Sequence, residues 1–140
     1  MKRSNFIQNK ENFILKFILE NKKSRVELEL KRNRDSILYK FANISRYFKI
    51  NKKSKELTKF SPKDIIALLN REEVPLKDAY ILSIFEKYDK CTLDFTEIIL
   101  ENLLSNGFPS VVIFNENIML IIGEYEFGHS PKYLLVENSV

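Results

Sequence analysis

The chain has 140 residues, 44% of them apolar and 30% charged, with a formal net charge of +4. That size suits one domain with its own core, and the composition excludes a disordered chain. Cys91 is the single cysteine, so an internal disulfide is excluded and core burial must supply stability, which suits a reducing, cytoplasmic setting.

The longest apolar run, Ile118–Ile122, is far short of the roughly 20 residues that cross a bilayer. Asn, Gln, Lys and Glu interrupt the opening MKRSNFIQNKENF before the apolar stretch of a secretory signal can form, so no cleaved leader is expected. The modest total charge hides a strong asymmetry. Residues 1–60 carry 17 Lys/Arg against 6 Asp/Glu, a net of +11, whereas residues 61–140 carry 6 against 13, a net of −7. Such polarity points to an anionic partner for the basic half, unless the halves fold against each other and neutralise their own fields.

Ser4 suits the cap of a first helix, with Phe6, Ile7, Phe13, Ile14, Phe17 and Ile18 at helical spacing. Residues 25–31, RVELELK, alternate and predict a strand with Val26, Leu28 and Leu30 on one face. KRNRD then reads as a turn. Ile37, Phe41, Ile44 and Phe48 follow a helical period and predict a helix over 36–48, although Ile37–Phe41 alone also fits the second strand of a hairpin. Residues 51–59 lack an apolar period and read as an exposed connection.

In the middle, Ser61-Pro62-Lys63-Asp64 has the form of a capping box with Pro at N1, opening a helix through DIIALLN. Pro75 predicts a second helix, LKDAYILSIFEKYD, with Ile81, Leu82 and Phe85 buried. Asp94 with Glu97 predicts a third, whose stripe is Phe95, Ile98, Ile99 and Leu103, ended by Asn106-Gly107 and Pro109. The period then changes. Residues 110–114 and 118–123 predict a hairpin about the turn NEN, and 133–137 a third strand. Strands this continuously apolar require burial on both faces or cover by helices.

The basic segment is the main candidate for function. Arg25, Lys31, Arg32, Arg34, Lys40, Arg46, Lys49, Lys52 and Lys53, with Lys22, Lys23 and Lys55 nearby, are residue types that neutralise phosphates. Tyr39, Tyr47 and Phe48 are interleaved with them and have faces on which bases stack. A helix-turn-helix over residues 61–89 is disfavoured, because its second helix would offer Asp78, Glu86 and Asp89 to DNA. Cys91 and His129 invite a Cys–His hydrolase, which needs the pair within hydrogen-bond distance and an orienting third group, but no Gln marks an oxyanion hole just upstream of Cys91. One His, one Cys and three glycines leave no metal-ligand spacing and no phosphate-cradling Gly loop.

The expectation is one non-enzymatic α+β domain over residues 1–140, without a cofactor. Its helices, at the N-terminus and in the middle, pack on a small antiparallel sheet built mainly from the C-terminal strands. It acts by binding, with the basic half contacting nucleic acid or a nucleoprotein. The alternative is an inhibitor, antitoxin or immunity-type factor directed at a protein, and the distant alternative is the hydrolase.

Overall fold

The nearly unbroken apolar runs of the C-terminal half form the centre of a sheet. The computed structural model describes residues 10–126 and 128–137; the expected cap at Ser4 and the pair Phe6 and Ile7 lie outside the described residues. The sheet is antiparallel throughout, in the order β1 (Lys55–Glu56), β6 (Lys132–Val136), β5 (Ile118–Ile122), β4 (Ser110–Asn115), β2 (Ala79–Ser83) and β3 (Cys91–Leu93). With helices α1 (Lys23–Arg32), α2 (Arg34–Lys40), α3 (Ile44–Tyr47), α4 (Pro62–Arg71) and α5 (Glu97–Asn106), the fold is of the α+β class. Among the described residues no helix is long and apolar enough to cross a membrane.

Side chains alternate between the faces of a strand, and here each face has its own core. Tyr80, Leu82, Val111, Ile113, Met119, Ile121 and Leu135 pack with Ile14, Phe17, Val26, Ile37, Phe41 and Phe48 of the N-terminal layer. Ile81, Val112, Phe114, Leu120, Ile122 and Leu134 pack on the other side with Ile65, Leu68 and Leu69 of α4 and Leu100 and Leu103 of α5. The register keeps the faces matched, with Ile81 opposite Val112 and Val112 opposite Leu120. The sheet thus lies between an N-terminal layer and a layer of α4 and α5 that differ in charge. Residues 13–48 carry 9 Lys/Arg against 4 Asp/Glu, while residues 61–78 and 94–109 of the opposite layer together carry 3 against 7. Two layer spacings of about 10 Å each separate their outer surfaces, well beyond a Debye length of about 8 Å.

Several expectations hold. The hairpin, its Asn115–Asn117 turn (Asn117 N–H donates to Asn115 Oδ1 at 2.8 Å) and the last strand are in place. Ser61 Oγ accepts from Asp64 N–H at 3.1 Å with Pro62 at the first helical position. Gly107 ends α5 in the left-handed region at φ 77°.

Others are corrected. Residues 25–31 are not a strand but most of α1; Val26 is buried while Leu28 is 48% exposed. Val26 and Leu30 are also i and i+4, and Glu, Leu, Lys and Arg favour helix, so seven alternating residues fit both periods. KRNRD is two helix ends about Asn33 rather than an open turn. The expected helix over 36–48 is broken at Phe41–Asn43, although its whole stripe is buried. The expected first helix is α-helical over residues 10–12 and tightens to 3-10 over Phe13–Phe17, but it stops one residue short of the expected stripe, with extended backbone at Ile18. The connection 51–59 contains β1 and the buried Leu57.

The helix predicted after Pro75 is instead β2, fully buried at all five residues, followed by turns. Cys91 lies on the edge strand β3. Thr96, not Asp94, caps α5, its Oγ1 accepting from Ile99 N–H at 3.3 Å, and Ile98 is 68% exposed while Leu100 faces the core.

A paired, part-buried charge contact ties the N-terminal layer to the turn after β2. Arg34, at the start of α2, makes a bidentate pair with Asp89, at 2.7 and 2.5 Å. Asp89 Oδ1 also accepts from Ser83 N–H at 3.0 Å, capping the end of β2. Burial would lower the Arg34 pKa, but the bonds and charge of Asp89 outweigh it and raise it. Removing one partner of a buried pair costs about 3–5 kcal/mol. The side chains here keep 21% and 15% exposure, so Arg34→Ala or Asp89→Asn is expected to cost about 2–3 kcal/mol in urea denaturation, by that same principle.

Tyr80 gives a second test. Its hydroxyl donates to Glu11 Oε1 at 3.1 Å, and burial first, then the Glu11 charge and hydrogen bond, push its pKa above the ordinary value of 10. A raised folded pKa means the contribution is complete below pH 10 and is lost as pH rises above it. Thermal melts from pH 9 to 11 should show stability falling more steeply for the native chain than for Tyr80→Phe.

Candidate functional site

The basic residues gather where α1 meets α2 and α3. The buried stripe Ile37, Phe41, Ile44 and Phe48 seats α2 and α3 on the core and turns Lys40 and Arg46 away from it. Lys22 and Arg25 face them from the start of α1, and Glu126 and Pro131 close one side from the β5–β6 loop. Together with Tyr39, Ala42, Asn43 and Tyr47 they line a cleft of about 520 Å³. Four cations and one carboxylate make its lining strongly positive.

Specific contacts hold these cations. Lys40 Nζ lies 3.1 Å from Glu29 Oε1, and Arg25 Nε 3.8 Å from Glu29 Oε2. That second oxygen is buried and, among the described residues, accepts no hydrogen bond. Glu29 thus anchors two cations through charge. Lys22 Nζ and Arg46 Cζ lie 5.7 and 5.9 Å from the centroid of Tyr47, within the range of cation–π attraction. The Tyr47 ring is itself set edge-on to Phe41.

Gly123 permits the closure of this corner. A Cβ there would sit 2.9 Å from Ala42 Cβ and 3.3 Å from Pro131 Cδ, and both of those residues line the cleft.

The sequence candidates divide. Arg25, Lys40 and Arg46 meet in the cleft. Lys31 and Arg32 are exposed in the last turn of α1, where cations suit the helix dipole. Arg34 is committed to Asp89. Lys49 pairs at 3.0 Å with Glu20, which Lys23 also contacts at 2.9 Å; hydrogen bonds from Lys23 and then Lys49 hold the Glu20 pKa below its usual value.

Lys52 and Lys53 border a different groove, of about 420 Å³, with Lys55, Glu72, Val74, Ile118, Leu134 and Val136. There Asn51 Nδ2 donates to Val136 O at 2.6 Å and Ser54 Oγ accepts from Val136 N–H at 3.4 Å, covering the edge of β6. Lysines on such an edge also deter strand addition. Of the aromatic candidates, Phe48 is 2% exposed and Tyr47 is 8% exposed; only Tyr39, at 39%, offers a ring to solvent. Ala42, Asn43, Gly123, Glu126 and Pro131 carried no sequence signal, since they join the cleft only through tertiary packing.

Other chemistry finds less geometry. Cys91 is on β3 and His129 in the loop after β5, three strands along the sheet, which is roughly 14 Å or more at about 4.8 Å per strand. Among the described residues no three His, Cys, Asp or Glu side chains gather as a metal site. Comparison with known families, with curated proteins and with solved structures finds no match to this chain. Chemically, the cleft suits an anionic ligand that also carries a planar group.

Gly123→Ala tests the closure. The extra methyl must push Ala42 away from the sheet, as overpacking does at about 1–3 kcal/mol. The expected outcome is a lower urea midpoint with an unchanged slope.

Proposed function

We propose that this protein binds nucleic acid, alone or within a nucleoprotein, through the basic cleft of its N-terminal layer. The observation that carries the reading is the convergence of Lys22, Arg25, Lys40 and Arg46 with two tyrosine rings on one concave surface. Backbone phosphates are the natural partners of such cations. The sheet keeps the acidic layer on the far side, so the approach to the cleft is electropositive and association is steered.

A protein-directed role, as an inhibitor, antitoxin or immunity-type factor, has one observation of its own. Ile98 stands 68% exposed on α5 beside Glu97 and Glu101, an apolar point on an acidic helix. A partner that co-purifies stoichiometrically and survives nuclease treatment would favour that role over the nucleic-acid one.

Fluorescence anisotropy with labelled oligonucleotides at several salt concentrations tests the first reading. Affinity is expected to fall linearly with log salt, and the triple variant Lys22→Glu, Arg25→Glu, Arg46→Glu should lose about 100-fold or more, with the salt slope reduced by roughly one for each phosphate contact removed. Lys52→Glu with Lys53→Glu should stay within about two-fold, because those residues border the other groove. Unchanged binding by the triple variant would remove the cleft from the proposal.

A further inference from the structure

We infer that the cleft takes single-stranded nucleic acid, seating an unpaired base against Tyr39, and that it discriminates against duplex. The inference rests on the nucleic-acid reading and adds the form of the strand.

Shape is the first argument. Duplex readers place a protruding helix or ribbon in a major groove about 12 Å wide. Here the basic side chains surround a recess between short helices, and Val26, Ile37, Leu38 and Ile44 of those helices are buried in the core. A recess of about 520 Å³ is in the range of pockets that enclose small ligands, about 300–1,000 Å³, and a single nucleotide unit is such a ligand. A paired base has its edges and faces occupied and cannot enter.

The lining supplies the second argument. Tyr39 is the exposed ring, and among the described residues it makes no ring–ring or cation–π contact. It is available as a stacking platform of the kind used by single-strand binders. Tyr47 is a positioning residue, because it is nearly buried and holds Lys22 and Arg46. Asn43 is exposed, and among the described residues its side chain has no hydrogen-bond partner, so its amide is free to pair with a base edge. Glu126, on the opposite wall, accepts from an amino or ribose hydroxyl group. A phosphate-only surface would need neither the ring nor these two groups.

The test compares fluorescein-labelled 12-mer single-stranded RNA, single-stranded DNA and the corresponding duplex, by anisotropy with the full chain, using the native protein, Tyr39→Phe and Tyr39→Ala. The expected result is at least about 10-fold tighter binding of one or both single strands than of duplex, with Tyr39→Ala lowering single-strand affinity by about 10-fold, as loss of one stacked base does. Tyr39→Phe should retain affinity, and the salt slope of Tyr39→Ala should equal that of the native chain, because no cation is removed. Circular dichroism checks that the exposed substitution leaves the fold intact. Equal affinity for duplex and single strand, or an Ala variant that binds as the native chain does, overturns the single-strand inference and leaves the nucleic-acid reading standing. Failure of the native chain to bind either form overturns both.

Discussion

The structure depends on one constraint: the central strands are apolar on both faces, and neither face can be left in water. Tyr80, Ile81 and Leu82 are each fully buried, yet successive residues point to opposite cores. Burying a side chain of this kind contributes about 1.5–3 kcal/mol, so uncovering either face would forfeit several such terms at once. The chain therefore has to supply two separate covers. The N-terminal half provides one, and α4 with α5 provides the other. Charge polarity along the chain thereby becomes polarity across the sheet.

The N-terminal cover is built from helices of ten, seven and four residues, too short to be stable by themselves. They are held from outside. Leu19 N–H donates to Tyr47 O at 2.9 Å and Lys49 N–H to Phe17 O at 2.7 Å, about a bridge between Ile18 and Phe48, so both ends of the helical excursion are tied together. Arg34 fastens its middle to Asp89, and the close approach of Ala42 to Gly123 fastens its far corner. The cleft occupies the space these attachments leave. Glu29 pairs with Arg25 and Lys40, and Tyr47 holds Lys22 and Arg46 against its ring.

What could be read in advance depended on how local the signal was. The β4–β5 hairpin, the Ser61 cap and the Gly107 stop are each decided by a few adjacent residues, and each is present in the fold. The stretch AYILS has spacing compatible with a buried helix stripe and with a strand buried on two sides, and only its pairing between β3 and β4 resolves the two. RVELELK failed for the converse reason, since its alternation is too short to outweigh the helix propensity of Glu, Leu, Lys and Arg. At the site, residue type marked Arg25, Lys40 and Arg46 as candidates, but it marked Arg34 equally, and nothing in its neighbours announces a partner 55 positions away.

The sequence by itself determined the class of fold, the apolar strands that must be covered on both faces, and a basic half set against an acidic one. These follow from composition and short-range periodicity, which act before any long-range contact forms. Only the tertiary structure decided which cations share a surface. It gathered Lys22, Arg25, Lys40 and Arg46, gave Arg34 to Asp89 and sent Lys52 and Lys53 to another groove. The physical reason is that a side chain's neighbours across a fold are set by how whole layers dock on the sheet, and that docking obeys the apolar cores rather than the charges that ride on them.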